Sequence, residues 1–276
     1  MPKKNLSSSG QTGPLSVGNV VSASLRIYRD HFKPYFGLAF VAYLWLLVPI
    51  YGWAKYSAIS ALISRLAFGE VREKPETVSD ARLEVNPRMW SFLWAGVLTS
   101  LIFLGVYLAG TIAMIILGVG VAAIFGQNSS IVAVLLVAVA VIAFFIICIR
   151  LFSRLLIVEL PLAIENNIDA SSAISRSWQL TKGSVGRIQW IVFVGILVSL
   201  PITIVVQILS VIVQLVLTPL LGAETGLFYL VYYLLILPLS FGSGALVTPF
   251  WQAMKAIIYY DLRSRKEGLG LKMRDR

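Results

Sequence analysis

The sequence predicts an all-α, polytopic integral membrane protein of about six transmembrane helices, arranged as three hairpins with interfacial amphipathic helices. Three observations carry that prediction. From Met89 to Ile149, sixty-one consecutive positions hold no charged residue. From Ile188 to Met254 the only charge is Glu224. The whole chain is 58% hydrophobic and 13% charged, with mean hydropathy +0.84; soluble domains carry about 25% charged residues. About 20 apolar residues suffice to cross the hydrocarbon as a helix. A helix also pairs its own backbone polar groups where no water can.

Residues 1–14 are rich in Ser and Gly and read as a disordered tail. Ser16 to Phe32 follows at helical period. Val17, Val20, Val21, Leu25, Tyr28 and Phe32 share one face; Asn19, Ser22, Arg26, Arg29 and Lys33 share the other. This pattern predicts a helix lying in the membrane plane. Pro34 to Phe68 is apolar and predicts a short hairpin turning near Pro49–Gly52. Thr77 to Arg88 repeats the amphipathic pattern, with Val78, Ala81 and Val85 against Asp80, Arg82, Glu84 and Arg88. Trp90 to Phe125 predicts a helix of about 54 Å. A turn at Gly126–Ser130 leads to a return helix that runs on through Arg150 to Leu160 and ends at Pro161. Asp169 to Lys182 is the third amphipathic segment. Asp169 is its N-cap, Ala173, Ile174 and Trp178 face inward, and Arg176 and Lys182 face outward. Arg187–Leu221 and Gly226–Leu262 complete the last hairpin. Residues 269–276 form a basic tail. The units span about 16–69, 76–165 and 168–268, and each reads as an amphipathic leader followed by a hairpin.

Positive charges orient the chain, because cytoplasmic loops collect Lys and Arg. Of 23 such residues, five precede Pro34, five lie between Arg65 and Arg88, five between Arg150 and Arg187, and seven after Met254. The turns at Gly126–Ser130 and Gly222–Gly226 carry none. Both termini are thus expected in the cytoplasm. Six spans satisfy this count and leave only Lys55 near the outer edge. Five spans, the alternative, put the N-terminal charges outside. The first hairpin's arms are only about 16 residues long, so local thinning or a re-entrant pair also fits. Trp45, Tyr51 and Trp53 are placed near the first outer turn. Trp90, Trp94, Trp178, Trp190, Trp251, Tyr259 and Tyr260 are placed near cytoplasmic ends.

Net charge is +10. In a membrane chain this points to anionic lipid and not to nucleic acid. The lone Cys148 excludes a disulfide framework. No cleavable signal peptide is visible, and neither a metal-ligand pattern, a phosphate loop nor a nucleophile elbow is recognisable. The only histidine, His31, lies on the first amphipathic helix. No cofactor or metal is expected, and the chain reads as a non-enzyme. Candidate head-group ligands are Arg26, Arg29, Lys33, Arg176, Lys182, Arg263, Arg265 and Lys266. Arg150, Arg154 and Glu159 form a polar rim with Glu165. Gln207 and Gln214 lie seven apart and share a face, as interhelical hydrogen-bond partners do. Ser240, Gly242 and Gly244 mark a predicted break after Pro238 in the last helix. The reading is a membrane-organising or lipid-interacting scaffold. Two alternatives stay open: a transporter or channel using the broken helix, and a membrane anchor or partner subunit of a separate protein. A homo-oligomer is also compatible.

Two segments carry a family resemblance. One is Arg154-x4-Glu159-x-Pro161-x3-Glu165, followed by Ala173-Ile174-x-Arg176-Ser177-Trp178-x-Leu180-Thr181-x-Gly183. The other is Tyr259-Tyr260-Asp261-Leu262-Arg263-x-Arg265-x-Glu267-Gly268. They resemble the bacterial membrane-domain family named for glycerophosphoryl diester phosphodiesterase, and related uncharacterised multi-pass families. The resemblance covers Leu15 to Gly268. It implies a six-helix domain in the bacterial cytoplasmic membrane. It does not imply the phosphodiesterase activity, which in fused members belongs to a separate barrel with His and acidic metal ligands. Tyr51-Gly52-Trp53-Ala54-Lys55-Tyr56 is similar to versions from photosynthetic bacteria, which adds the thylakoid membrane as a location.

Overall fold

The computed structural model describes residues 15–125, 131–222 and 225–268. The tails 1–14 and 269–276 and the turn Gly126–Ser130 lie outside the described residues. Every regular element among the described residues is helical. The order is α1 (Val17–Asp30), α2 (Phe32–Trp45), α3 (Tyr51–Val71), α4 (Val78–Val85), a 3-10 turn (Asn86–Arg88), α5 (Met89–Phe125), α6 (Ile131–Leu155), α7 (Glu159–Ile164), α8 (Ala170–Thr181), α9 (Val185–Leu221) and α10 (Gly226–Glu267). Four stretches are long and apolar enough to cross a membrane: Val78–Ile124, Ala133–Ile164, Val185–Leu221 and Gly226–Glu267. That is consistent with a membrane protein. Six were expected, and neither α2 nor α3 is among the four.

The short helices are capped as their sequences prescribe. The side chains of Ser16, Thr77 and Asp169 accept from the N–H groups of Asn19, Asp80 and Ser172, satisfying donors that a helix start otherwise leaves free. The first hairpin turns through Leu46–Ile50. Its arms run antiparallel: Trp45 meets Tyr51, Tyr43 meets Tyr56, and His31 meets Glu70. Gly52 makes the tight start of α3 possible, since a Cβ there would lie 1.8 Å from the Trp45 carbonyl oxygen.

Burial divides the molecule in two. Twelve of the 21 residues of α3 are buried, and α3 packs on α2, α5 and α10. The C-terminal half of α10 buries Ala253, Met254, Ala256, Ile257, Ile258, Tyr259 and Leu262. Around it sit α1, α2, α3, α7 and α8. The most apolar windows of α5, α6 and α9 are instead entirely unburied. Ile112, Ile115, Ile116, Val139, Leu215 and Leu234 are all exposed. Soluble monomers rarely expose a continuous apolar surface on this scale.

Several expectations are corrected. α1 does not turn all of its apolar face toward lipid. It packs on α9 and α10 and buries Val20, Val21 and Ser24, because the extended end of α10 offers protein surface there; Leu25 and Phe32 stay exposed. The helix carrying Arg150 stops at Leu155, not at Pro161. Pro161 falls in the first turn of α7, where a missing N–H costs nothing. α10 is helical throughout, so Pro238–Gly244 is no break. The glycine there serves packing: a Cβ on Gly244 would lie 2.3 Å from the Tyr43 ring. Gln207 and Gln214 are exposed on α9 and meet no polar side chain among the described residues, so they do not join helices within this chain. Trp178, expected inward, is 45% exposed.

Candidate functional site

Charged groups gather where α7, α8 and the end of α10 meet. Glu165 accepts from the Tyr259 hydroxyl and from Arg176 Nε. Arg176 also pairs with Glu267, which accepts from Arg263 Nε at 2.8 Å. Arg88 donates to the carbonyls of Leu162 and Glu165 at 3.1 and 2.8 Å. Asp261 holds Arg187 and accepts from the Leu15 N–H at 3.0 Å, tying the start of the described chain to α10. Lys266 Nζ donates to the Gln179 and Lys182 carbonyls at 2.6 and 2.9 Å, satisfying open carbonyls at the C-terminus of α8. Arg154 lies 4.7 Å over the Trp178 ring and donates to the Trp178 carbonyl, while the Ser177 hydroxyl donates to the Arg154 carbonyl at 2.7 Å. The two motif segments of the resemblance therefore meet in space as one interlocked seam.

The seam sorts the head-group candidates. Arg176, Arg263 and Lys266 are engaged within the protein. Arg265 reaches Asp261 only at 4.0 Å and remains 41% exposed. Arg26, Lys33, Lys182 and Arg150 are exposed. Among the described residues Arg29 pairs only with the neighbouring exposed Asp30, at 3.4 Å. Arg26, Arg29 and Lys33 accompany a ladder of rings along α1 and α2. Tyr28–Phe32, Phe32–Phe36 and Phe36–Phe40 are separated by 5.4, 5.6 and 6.1 Å. Phe32 and Phe40 are exposed. A helix pair that exposes both cations and apolar rings is suited to the membrane interface.

A second constellation went unseen in the sequence apart from Glu159. α3, α5, α6, α7 and α10 line a half-open cavity of about 360 Å³, with Ser57, Ser60, Thr99, Glu159, Gln252 and Lys255 among its residues. Glu159 Oε1 takes Lys255 Nζ at 3.2 Å and the Ser64 hydroxyl at 2.9 Å. Ser64 Oγ also lies 2.9 Å from the Gln252 amide. One hydroxyl proton cannot serve two acceptors, so the Gln252 amide turns its NH2 toward Ser64. The relay then runs Gln252 to Ser64 to Glu159. Ser60 Oγ is buried and meets no hydrogen-bond partner among the described residues. The signal for this site was present: Ser57, Ser60 and Ser64 share one face of α3, and Gln252 and Lys255 share one face of α10. Among the described residues no three His, Cys, Asp or Glu side chains gather to hold a metal.

No protein-family model, no curated protein and no solved structure matches this chain.

Proposed function

We propose that this chain is a non-enzymatic, lipid-interacting membrane scaffold whose α1–α2 surface engages anionic lipid. The observation that carries this reading is that α1 and α2 together expose Phe32 and Phe40 of the ring ladder Tyr28–Phe40 and the cations Arg26, Arg29 and Lys33. Each cation near an anionic leaflet contributes about 1 kcal/mol. The likeness of segments 154–183 and 259–268 to the bacterial membrane-domain family belongs to the same proposal, with the bacterial cytoplasmic membrane as its location. The motif residues' mutual contacts support it.

The proposal counts four spans, α5, α6, α9 and α10, and a first hairpin that enters the bilayer without crossing it. α2 has 14 residues, about 21 Å against a hydrocarbon core of about 30 Å. The tip residue Tyr51 meets Trp90 edge-on, with ring centroids 6.5 Å apart. Trp90 stands in the first turn of α5, and about 53 Å of that helix runs on from it. Tyr43, near the tip, meets Gly244, about 27 Å short of the far end of α10. Leu47, Val48, Ile50 and Trp53 are apolar and exposed, as a tip in hydrocarbon requires. This arrangement keeps both termini on one side. It also returns Lys55 to that side, so that no Lys or Arg faces outward.

The test is lipid selectivity. In mixed bilayers, spin-labelled phosphatidylglycerol should be enriched over phosphatidylcholine around the protein. Arg26→Ala, Arg29→Ala and Lys33→Ala together should cut that preference at least about threefold, a conservative share of the charge contribution above. An unchanged preference in the triple variant sinks the proposal.

A further inference from the structure

The cavity among α3, α5, α6, α7 and α10 has features that a packed core lacks. Its volume of about 360 Å³ falls in the range of small-ligand pockets, which begins at about 300 Å³. Ser60 lines it with 4% of its surface exposed, and its hydroxyl has no partner among the described residues. A buried hydroxyl left without a partner is costly, so such groups are normally met. Lys255 Nζ has three protons and, among the described residues, bonds only Glu159 Oε1. Glu159 Oε2 receives no hydrogen bond among the described residues, because both contacts fall on Oε1. The cavity thus presents one ammonium with free donors, one carboxylate with a free acceptor, and a ring of hydroxyls.

The position of the mouth restricts the ligand further. Gly96 and Ser100 are the exposed residues of the lining. Trp94, Val97 and Leu101 flank them on α5 and are exposed and apolar. A molecule entering there arrives through an apolar surface. A purely anionic head group would meet Lys255 but be repelled by Glu159. A purely cationic one would be attracted by Glu159 and repelled by Lys255. A head group carrying both charges matches both residues.

We infer that this cavity is a head-group site for a zwitterionic phospholipid of the phosphoethanolamine type. The phosphate lies toward Lys255 and the hydroxyls of Ser60 and Thr99, and the ammonium lies toward Glu159. The acyl chains leave between Gly96 and Ser100 along α5. The site is separate from the α1–α2 surface, and it stands or falls independently of that surface's preference for anionic lipid.

Native mass spectrometry of the full chain in detergent tests this directly. Phosphatidylethanolamine, phosphatidylglycerol and water-soluble phosphoethanolamine are titrated as separate probes. The expected result is one saturable phosphatidylethanolamine site, at least tenfold tighter than for either other probe. A Cβ on Gly96 meets nothing within 4 Å, so the backbone leaves room for a side chain there, and Gly96→Trp should close the mouth and abolish the site. Glu159→Gln leaves Lys255 unopposed and should turn the preference toward phosphatidylglycerol. Combined Arg26→Ala, Arg29→Ala and Lys33→Ala should leave this site filled. The inference is overturned if phosphatidylglycerol binds the unaltered protein equally well, or if soluble phosphoethanolamine matches the lipid. Unchanged binding in Gly96→Trp, or no preference switch in Glu159→Gln, overturns it as well.

Discussion

Gly52 and Ile50 show how much of the first hairpin rests on single residues. A Cβ at Gly52 would sit 1.8 Å from the Trp45 oxygen, a backbone atom that cannot step aside. Gly52→Ala should therefore destabilise the protein by about 1–3 kcal/mol, seen as a lower melting temperature in detergent. Gly96→Ala, with open space at its Cβ, should leave melting almost unchanged. Ile50 holds φ 61°, a region costly for a β-branched side chain. Its side chain is 60% exposed, so Ile50→Gly relieves the strain without opening a core cavity and should raise the melting temperature. Asp169 provides a pH-dependent case. Hydrogen bonds from Ser172 and Ser171 hold its carboxyl below the usual carboxylate range. A depressed folded-state pKa means that its cap contributes above the unfolded value near 4, and that the contribution is lost as pH falls through the lower folded value. Amide exchange at Ser172 should accelerate on acidification in the native protein. In Asp169→Asn, which caps without a charge, that acid-dependent step should be absent.

Among the elements, α8 depends on the seam more than on its own sequence. Arg176 joins it to Glu165 and Glu267, Lys266 closes its C-terminus, and Ala173, Ser177 and Leu180 are its buried face. Removing one partner of a half-buried ion pair leaves the others uncompensated. Arg176→Ala should cost on the order of 3 kcal/mol, measured by chemical denaturation in micelles, and Arg176→Lys should recover only part of it because the two-sided fork is lost. Helix positions were legible in the sequence because period and caps agree locally: Asp169 caps α8 and the leader faces of α4 and α8 bury Ala81, Val85 and Ala173 as read. What a helix touches was less legible. Trp178 looks inward by period, yet Arg154 covers it from α6. Pro238 and two glycines look like a break, yet Gly244 makes room for Tyr43 from a helix two hundred positions earlier. The polar cavity escaped notice because Ser60, Glu159 and Lys255 lie on three different elements, and only the fold brings them together.

On the scale of the whole molecule, one apolar sequence carries two structural roles. The most apolar windows of α5 and α6, the helices of the uncharged run, are unburied, whereas α3, with less apolar character and three serines on one face, fills the core. The proposed four spans follow from where the hairpin tip lies, and the turns 126–130 and 222–226 that they put outside carry no Lys or Arg. Leu47, 62% exposed near that tip, reports the difference. A single cysteine replaces Leu47 in a Cys148→Ser background, in intact cells, and is challenged with a membrane-impermeant maleimide. No labelling from outside is expected, and spin labels at the same position should be oxygen-accessible but water-shielded. Efficient labelling from outside, equal to that of a cysteine placed at Thr225 in the last outer turn, would contradict it and restore a hairpin that crosses the bilayer.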